Sequence, residues 1–101
     1  MTLREIQTEA HRTAIEKGWY DADRPPLELL MLITTEVAEA AEEWRKPVEQ
    51  FDKNALAEEL ADIIIRVADA ASHWEINLES AVVRKMLRNR ERPVRHRGLR
   101  Y

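Results

Sequence analysis

Apolar residues recur three and four positions apart through most of the chain, the spacing of one face of an α-helix. No stretch alternates apolar and polar residues for long enough to indicate a β-strand. Only two glycines and four prolines interrupt the pattern, and they divide the chain into four helical segments. The pattern therefore predicts an all-α protein.

Local signals mark the ends of the first two helices. Thr2 and Glu5 have the spacing of a capping box at the start of the first helix, and Gly18 has the position of a C-terminal cap. The Pro25–Pro26 pair favours the start of the second helix, and Pro47 ends it. We expect this second helix to be about twenty residues long.

The remaining signals predict two further helices. Asn54 is expected to cap a third helix that extends to Asn77, and Asn77 itself to cap a fourth that ends before Pro93. With short connections, four amphipathic helices predict an up-down four-helix bundle in which the second and third form an antiparallel hairpin. We expect residues 1–93 to form this helical domain and residues 94–101 a basic tail.

Composition narrows the class of protein. With 101 residues, a single domain with a small core is expected, which favours oligomerisation. A chain that is 45% hydrophobic is too apolar to be disordered, and no apolar run is long enough to cross a bilayer. The lack of cysteine excludes disulfides, thiolate nucleophiles and cysteine-based metal sites. The charged N-terminal segment has no apolar signal region, so we expect a cytoplasmic protein.

The net charge of −3 hides two unequal parts. Residues 1–83 contain 8 basic and 18 acidic side chains, whereas residues 84–101 contain 8 basic side chains and one acidic. An acidic body with a basic end is compatible with nucleic-acid binding, with subunits that pair through opposite charges, or with a polyanion held between metal-binding carboxylates and arginines.

Four acidic residues break the apolar pattern of the second and third helices. They are Glu36, Glu39, Glu59 and Asp62. Each helix has one acid beside its apolar stripe and another three residues later, so an antiparallel pairing brings all four to a similar height. Converging carboxylates repel one another and lose hydration, a cost that bound cations would offset.

Two interpretations of these acids remain open from the residues alone. In the first they hold a metal, and because no Glu-x-x-His pair accompanies them, the all-oxygen ligand set favours Mg²⁺ or Mn²⁺ with a phosphate-bearing substrate. In the second they form a solvated acidic face that arginines such as Arg45 and Arg66 neutralise. Trp44 and Trp74 lie on the apolar stripes, which predicts that both are core residues.

The acids also form a recognisable pair of motifs. Glu36-Val-Ala-Glu39 and Glu59-Leu-Ala-Asp62 resemble the ExxE and ExxD signature of the all-α nucleoside triphosphate pyrophosphatases, the MazG-like superfamily. Three further stretches agree in the expected order: Lys17–Asp21, Lys85–Asn89, and Arg92–Pro93 with Arg97–Gly98. The resemblance covers nearly the whole chain and is to the short single-domain members.

This resemblance implies Mg²⁺-dependent hydrolysis of a nucleoside or deoxynucleoside triphosphate to the monophosphate and pyrophosphate, by a homodimer or a dimer of dimers. The metal ligands that it implies are Glu36, Glu39, Glu59 and Asp62. The implied phosphate-binding residues are Lys85, Asn89, Arg92 and Arg97. No membrane association is expected. A stable nucleic-acid complex is not expected either, because the acidic body would repel a polyanion.

Two roles are less strongly indicated. A carboxylate just outside the metal ligands, Glu58 or Glu43, is a candidate to accept the proton of the attacking water. Trp19 is a candidate to stack on the nucleobase, although the same residue would serve equally as a core anchor. The alternative functions are a nucleic-acid-binding module that uses the basic C-terminus, and a non-catalytic helical oligomer.

Overall fold

The computed structural model describes residues 1–93, which form four α-helices and a short 3₁₀ helix, with no strand among them. The elements are α1 (Leu3–Glu16), α2 (Pro26–Trp44), the 3₁₀ helix (Val48–Gln50), α3 (Lys53–His73) and α4 (Leu78–Glu91). The predicted all-α fold with four helices is confirmed. The predicted basic tail, 94–101, which includes Arg97, lies outside the described residues.

The predicted helix caps are found at three positions. Thr2 Oγ1 accepts a hydrogen bond from the Glu5 amide at 3.1 Å, and Glu5 Oε1 accepts one from the Thr2 amide at 2.8 Å. Gly18 follows α1 with a φ of 80°, a left-handed conformation that favours glycine. Asn77 caps α4, since its Oδ1 accepts from the Ser80 amide at 3.1 Å.

The predicted ends of the third helix are wrong at both termini. Asp52, not Asn54, is the N-cap of α3, because the Asp52 side chain accepts a hydrogen bond from the Asn54 amide at 2.9 Å. At the other end α3 stops at His73, and Glu75 adopts a φ of 57°. A left-handed residue cannot continue a right-handed helix, so the chain turns before Asn77.

The four helices are not packed equally. α3 is central, and α1 and α2 each lie along it without close backbone contact with each other. α4 contacts α1 and, less extensively, α3, but has no close backbone contact with α2. The radius of gyration of 16.6 Å exceeds the roughly 13 Å of a compact domain of this length. The single chain is therefore open on the side where α4 and α2 would meet.

The core is small and consists largely of alanine. The buried apolar residues are Leu29, Ala40, Ala68, Ala70 and Ala71. Alanines allow helices to approach closely but bury little apolar area each. Gln7 is also buried and joins α1 to the start of α4, because its amide donates to the Ile76 carbonyl at 2.8 Å and accepts from the Leu78 amide at 3.0 Å.

Large apolar side chains remain exposed on the outer faces of the helices. The prediction that Trp44 belongs to the core is wrong for the single chain: its side chain is 68% exposed, and its ring meets that of Phe51 edge to face at 5.3 Å between centroids. Trp74 is half-buried. Within residues 1–93, no helix combines the length and the apolar content that crossing a membrane would require.

Candidate metal centre

Three of the predicted acids meet where α2 packs against α3. Each of Glu36, Glu59 and Asp62 offers one carboxylate oxygen, and these oxygens lie within 4.8 Å of one another. Glu36 is buried, Glu59 half-buried and Asp62 exposed, so the cluster spans the depth of the helix interface and opens at one side. The i, i+3 spacing of Glu59 and Asp62 puts both on the same face of α3.

Glu39 adjoins this cluster from the next turn of α2. Its side chain is exposed, and the carboxylates of Glu36 and then Glu59 raise the pKa of the Glu39 carboxyl above its ordinary value. A neighbouring negative charge favours the protonated form, so the raised pKa indicates that Glu39 lies close to Glu36 and Glu59. The structure thus brings three of the four predicted acids into one cluster, with Glu39 beside it.

Two carboxylate oxygens in this region are buried without a hydrogen-bond partner in residues 1–93. They are Glu59 Oε2 and Glu43 Oε2. A buried unpaired carboxylate oxygen is costly, and a bound cation is one of the few groups that would satisfy it. Together with an all-oxygen donor set, the unpaired oxygen of Glu59 fits a hard divalent cation such as Mg²⁺ or Mn²⁺.

Arg66 lies one turn beyond Asp62 on α3 and pairs with the cluster. Its Nε donates to Glu36 Oε1 at 3.0 Å. The second arginine considered for an acidic surface, Arg45, instead pairs with Glu42 at 3.6 Å, where both side chains are about three-quarters exposed. Within residues 1–93, arginine therefore compensates Glu36 alone among the four acids, and the solvated-face interpretation accounts for only part of the cluster.

A groove of about 860 Å³ runs from these carboxylates along α1 and α3. Most of its other walls are apolar side chains of α1 and α3. The charged residues that line it are Glu9, Lys17, Glu36, Asp62, Arg66 and Asp69. Volumes between roughly 300 and 1,000 Å³ with a few convergent polar groups are usual for small-molecule sites. The groove therefore has the size, and both the apolar and the charged walls, to hold a small ligand that carries charge.

Trp19 lines the same groove. The guanidinium carbons of Arg24 and Arg66 lie 4.0 and 4.7 Å from the centroid of its ring. The Trp19 carbonyl accepts a hydrogen bond from Arg24 Nε at 2.9 Å, while its own indole Nε1 is buried without a partner in the described chain. Trp19 thus anchors the α1–α2 connection and still presents an unused donor near the groove.

The two candidate proton acceptors differ in their surroundings. Glu43 lies one turn beyond Glu39 on α2, and its Oε1 accepts from Lys46 Nζ at 3.0 Å while Oε2 is unpaired. Glu58 is exposed on α3. Glu43 therefore has one oxygen held by Lys46 and one that is buried and unpaired in residues 1–93, whereas Glu58 is open to solvent.

The predicted phosphate-binding residues of α4 lie apart from the acids in the single chain. Lys85, Asn89 and Arg92 are exposed, and none of them lines the groove beside Glu36. Nor do Lys85 or Arg92 form an ion pair within residues 1–93. The fourth predicted phosphate ligand, Arg97, falls in the part of the chain that is not described.

Sequence reasoning missed a second buried carboxyl group, Asp69 of α3. His11 Nδ1 lies 2.8 Å from Asp69 Oδ1, and Tyr20 Oη donates to Asp69 Oδ2 at 2.8 Å. Tyr20 stacks on His73 with 4.1 Å between centroids, and burial, followed by the hydrogen bond to Asp69, raises the pKa of the Tyr20 phenol. The sequence signal that could have identified Asp69 is its position as an acid within the alanine-rich segment Ala68–Ala71.

The fold and the cluster define an all-α protein with a carboxylate site suited to hard divalent cations. The chain belongs to the MazG nucleotide pyrophosphohydrolase domain family, whose sequence pattern matches residues 24–95. This match includes all four clustered acids and confirms the resemblance found in the sequence.

The chain is also similar to known mammalian proteins. It is 32% identical over 100 residues to dCTP pyrophosphatase 1 from Mus musculus and to that from Rattus norvegicus, and 35% identical over 101 residues to that from Bos taurus. These alignments cover 90% of this chain but only 58% to 59% of the relatives, so the chain spans somewhat more than half their length. No solved structure matches the chain significantly.

Proposed function

We propose that the protein hydrolyses a nucleoside or deoxynucleoside triphosphate between its α and β phosphates, giving the monophosphate and pyrophosphate. The observation that carries the proposal is the convergence of Glu36, Glu59 and Asp62 within 4.8 Å, with an unpaired buried oxygen on Glu59. Membership of the MazG family supports the reaction class, and the similarity to dCTP pyrophosphatase 1 makes dCTP the first substrate to test.

Glu36, Glu39, Glu59 and Asp62 would hold the divalent cation, Mg²⁺ or Mn²⁺. When bound, such a cation neutralises phosphate charge and lowers the pKa of a coordinated water. The chain's own carboxylates fix the position of that charge, because Glu36 and Glu59 are held at the interface of two packed helices. Glu43 is proposed to accept the proton of the attacking water, and Glu58, being exposed, is the weaker candidate.

The groove would receive the nucleoside. Its apolar walls suit a base and sugar, and the phosphates would lie beside Glu36, Asp62 and Arg66, which also line it. Trp19 contributes an aromatic face and an unpaired Nε1 donor. In this arrangement the triphosphate extends from the groove toward the cluster, which aligns the α phosphate with the metal site.

We further propose that the active form is a homodimer or a dimer of dimers. Exposed apolar residues on α2 and α4 would be covered by a second copy, as with Met31 and Trp44 of α2 and Met86 of α4. Lys85 and Asn89 do not line the groove of their own chain, and in this proposal α4 of a second copy contributes them to phosphate binding.

The reaction is tested by incubating the protein with individual NTPs and dNTPs in Mg²⁺ or Mn²⁺ and separating the products by chromatography. We expect monophosphate and pyrophosphate in equal amounts, with loss of both on chelation of the metal. Release of orthophosphate would contradict the proposed bond cleavage, and absence of any product would contradict the enzyme function.

Shared sites are tested by mixing inactive variants. Glu59→Gln removes a carboxylate of the cluster, and Lys85→Ala removes the proposed phosphate ligand from α4. If each site combines the cluster of one subunit with α4 of another, refolding the two variants together restores part of the activity, because some hetero-oligomers contain one intact site. Activity that stays absent in the mixture, with hetero-oligomers demonstrated by differential tags, contradicts sharing.

A further inference from the structure

We infer that Arg66 is a substrate-binding residue: its Nε orients the Glu36 carboxylate while its terminal Nη1 and Nη2 groups bind a phosphate oxygen of the nucleotide. This inference rests on the proposed function. It adds a phosphate ligand from α3, on the same helix face as Glu59 and Asp62, to those expected from α4.

The Arg66 guanidinium is held in a fixed position. Arg66 Nε donates to Glu36 Oε1 at 3.0 Å, and the two side chains are only 32% and 11% exposed. A charge-assisted hydrogen bond in a largely buried setting holds both partners in one orientation. Arg66 is thus directly linked to a proposed metal ligand.

The terminal nitrogens of Arg66 have no hydrogen-bond partner within residues 1–93. Within residues 1–93, the hydrogen bonds and ion pairs of Arg66 involve Nε alone. The guanidinium also lies over the Trp19 ring, with 4.7 Å between Cζ and the centroid. Stacking on an aromatic face leaves the in-plane N–H groups available, and a planar fork of donors matches the oxygens of a phosphate.

Arg66 also lies in the wall of the groove, close to the carboxylate cluster. Arg66 lines the groove together with Glu36, Asp62 and Trp19, so it lies where the apolar walls meet the carboxylate cluster. A nucleotide seated with its base along the apolar walls passes its phosphates across this boundary. Arg66 is therefore positioned to neutralise phosphate charge that the acids alone would repel.

Arg24 provides an internal comparison. It also lies over Trp19, at 4.0 Å, but its Nε donates to the Trp19 carbonyl at 2.9 Å and its Nη1 to Glu28 Oε1 at 2.7 Å. Arg24 is engaged at both ends and serves to close the α1–α2 connection. Within residues 1–93, Arg66 forms a hydrogen bond through Nε alone, so we assign the anion-binding role to Arg66 and not to Arg24.

The test is calorimetric binding of a deoxynucleoside triphosphate analogue with a methylene group between the α and β phosphates, at saturating Mn²⁺. Arg66→Gln is expected to weaken binding by roughly tenfold to a hundredfold, the usual loss for a hydrogen bond to a charged group. Arg66→Lys should retain part of the affinity, since it keeps the charge without the fork. Arg45→Gln, which removes an exposed arginine paired with Glu42, should bind as the wild type does.

Three further measurements separate this role from a structural one. Mn²⁺ titration without nucleotide should show about tenfold weaker binding in Arg66→Gln, because Glu36 loses its supporting hydrogen bond. The nucleoside lacking phosphates should bind Arg66→Gln and wild type alike, and helical circular dichroism should match.

Equal analogue affinity in Arg66→Gln and wild type at saturating Mn²⁺ would overturn the inference. Equal losses for nucleoside and triphosphate analogue would overturn it as well, since they would indicate a change in groove shape. Failure of the wild type to bind the analogue or to release pyrophosphate would instead defeat the proposed function itself.

Discussion

The carboxyl of Asp69 and the carboxylates of Glu36 and Glu59 all lie where another helix packs on α3, and they differ in how their oxygens are hydrogen-bonded. Asp69, which faces α1, is 6% exposed, and both of its oxygens are hydrogen-bonded, one to His11 and one to Tyr20. Within residues 1–93, Glu36 and Glu59, where α2 packs on α3, have one arginine partner between them, and the buried Oε2 of Glu59 has no hydrogen-bond partner.

The difference separates a carboxyl that stabilises the fold from carboxylates that are proposed to bind a cation. A buried acid with complete partners ties helices together, and Asp69 joins α1, the α1–α2 connection and α3. A buried acid with incomplete partners destabilises the empty protein and gains most from a cation. Burial alone does not distinguish the two kinds; the number of satisfied oxygens does.

The largest effect that this comparison predicts is loss of activity in Glu59→Gln. We expect turnover to fall by roughly a hundredfold or more, since residues that merely support metal ligands already cost 10- to 100-fold. The metal-free variant should be at least as stable as the wild type, because one repelling charge is gone. Product release and thermal unfolding are measured on the same preparations.

The control for Glu59→Gln is Glu49→Gln. Glu49 is an exposed carboxylate of the 3₁₀ helix with no ion pair in the described part of the chain, so its replacement should change neither activity nor unfolding temperature. Full activity in Glu59→Gln would refute the proposed metal centre.

The next effect is on stability and concerns Asp69→Asn. One of the two donors, His11 or Tyr20, loses its acceptor, and we expect a loss of about 1–3 kcal/mol. For a domain of this size that lowers Tm by roughly 5–20 °C, measured by circular dichroism, while activity well below Tm persists. Asp62→Asn, an exposed carboxylate of the cluster on the same helix, should do the reverse and remove activity at unchanged Tm. Loss of activity without loss of stability in Asp69→Asn would break the comparison.

The features that could be predicted from sequence are those set by neighbouring residues. The Thr2 and Asn77 caps and the face shared by Glu59 and Asp62 depend on spacings within a helical turn or two, so the pattern contains them. Asp52 and Asn54 are both good N-cap residues, and periodicity did not decide between them.

What could not be predicted depends on distant partners. His11 is 58 residues from Asp69, and the helical pattern offers no way to pair them. Periodicity places Trp44 on the apolar face of its helix. It does not indicate whether the surface that covers this face belongs to the same chain, and in the single chain most of the Trp44 side chain is exposed. The link of Arg66 to both Glu36 and Trp19 likewise joins residues from α2, α3 and the α1–α2 connection.

The smallest predicted effect is a pH-dependent gain of stability in Glu39→Gln without metal. Glu36 and then Glu59 raise the pKa of Glu39 above its ordinary value of 4.5, so the folded protein binds the Glu39 proton more tightly than the unfolded chain does. The stability that the protonated Glu39 carboxyl contributes is complete below pH 4.5. It is lost as the pH rises through the raised pKa of the folded protein. Ionised Glu39 therefore destabilises the metal-free protein at neutral pH.

In a chelating buffer, Glu39→Gln should unfold at a slightly higher temperature than the wild type near neutral pH, and the two should converge as the pH falls toward 4.5. Saturating Mn²⁺ should reverse the order, because a ligand that binds only the folded state stabilises the protein that binds it better. Glu42→Gln, on an exposed position of the same helix, should follow the wild type under both conditions. A Glu39→Gln protein that Mn²⁺ stabilises as much as the wild type would remove Glu39 from the metal centre and leave Glu36, Glu59 and Asp62 as its ligands.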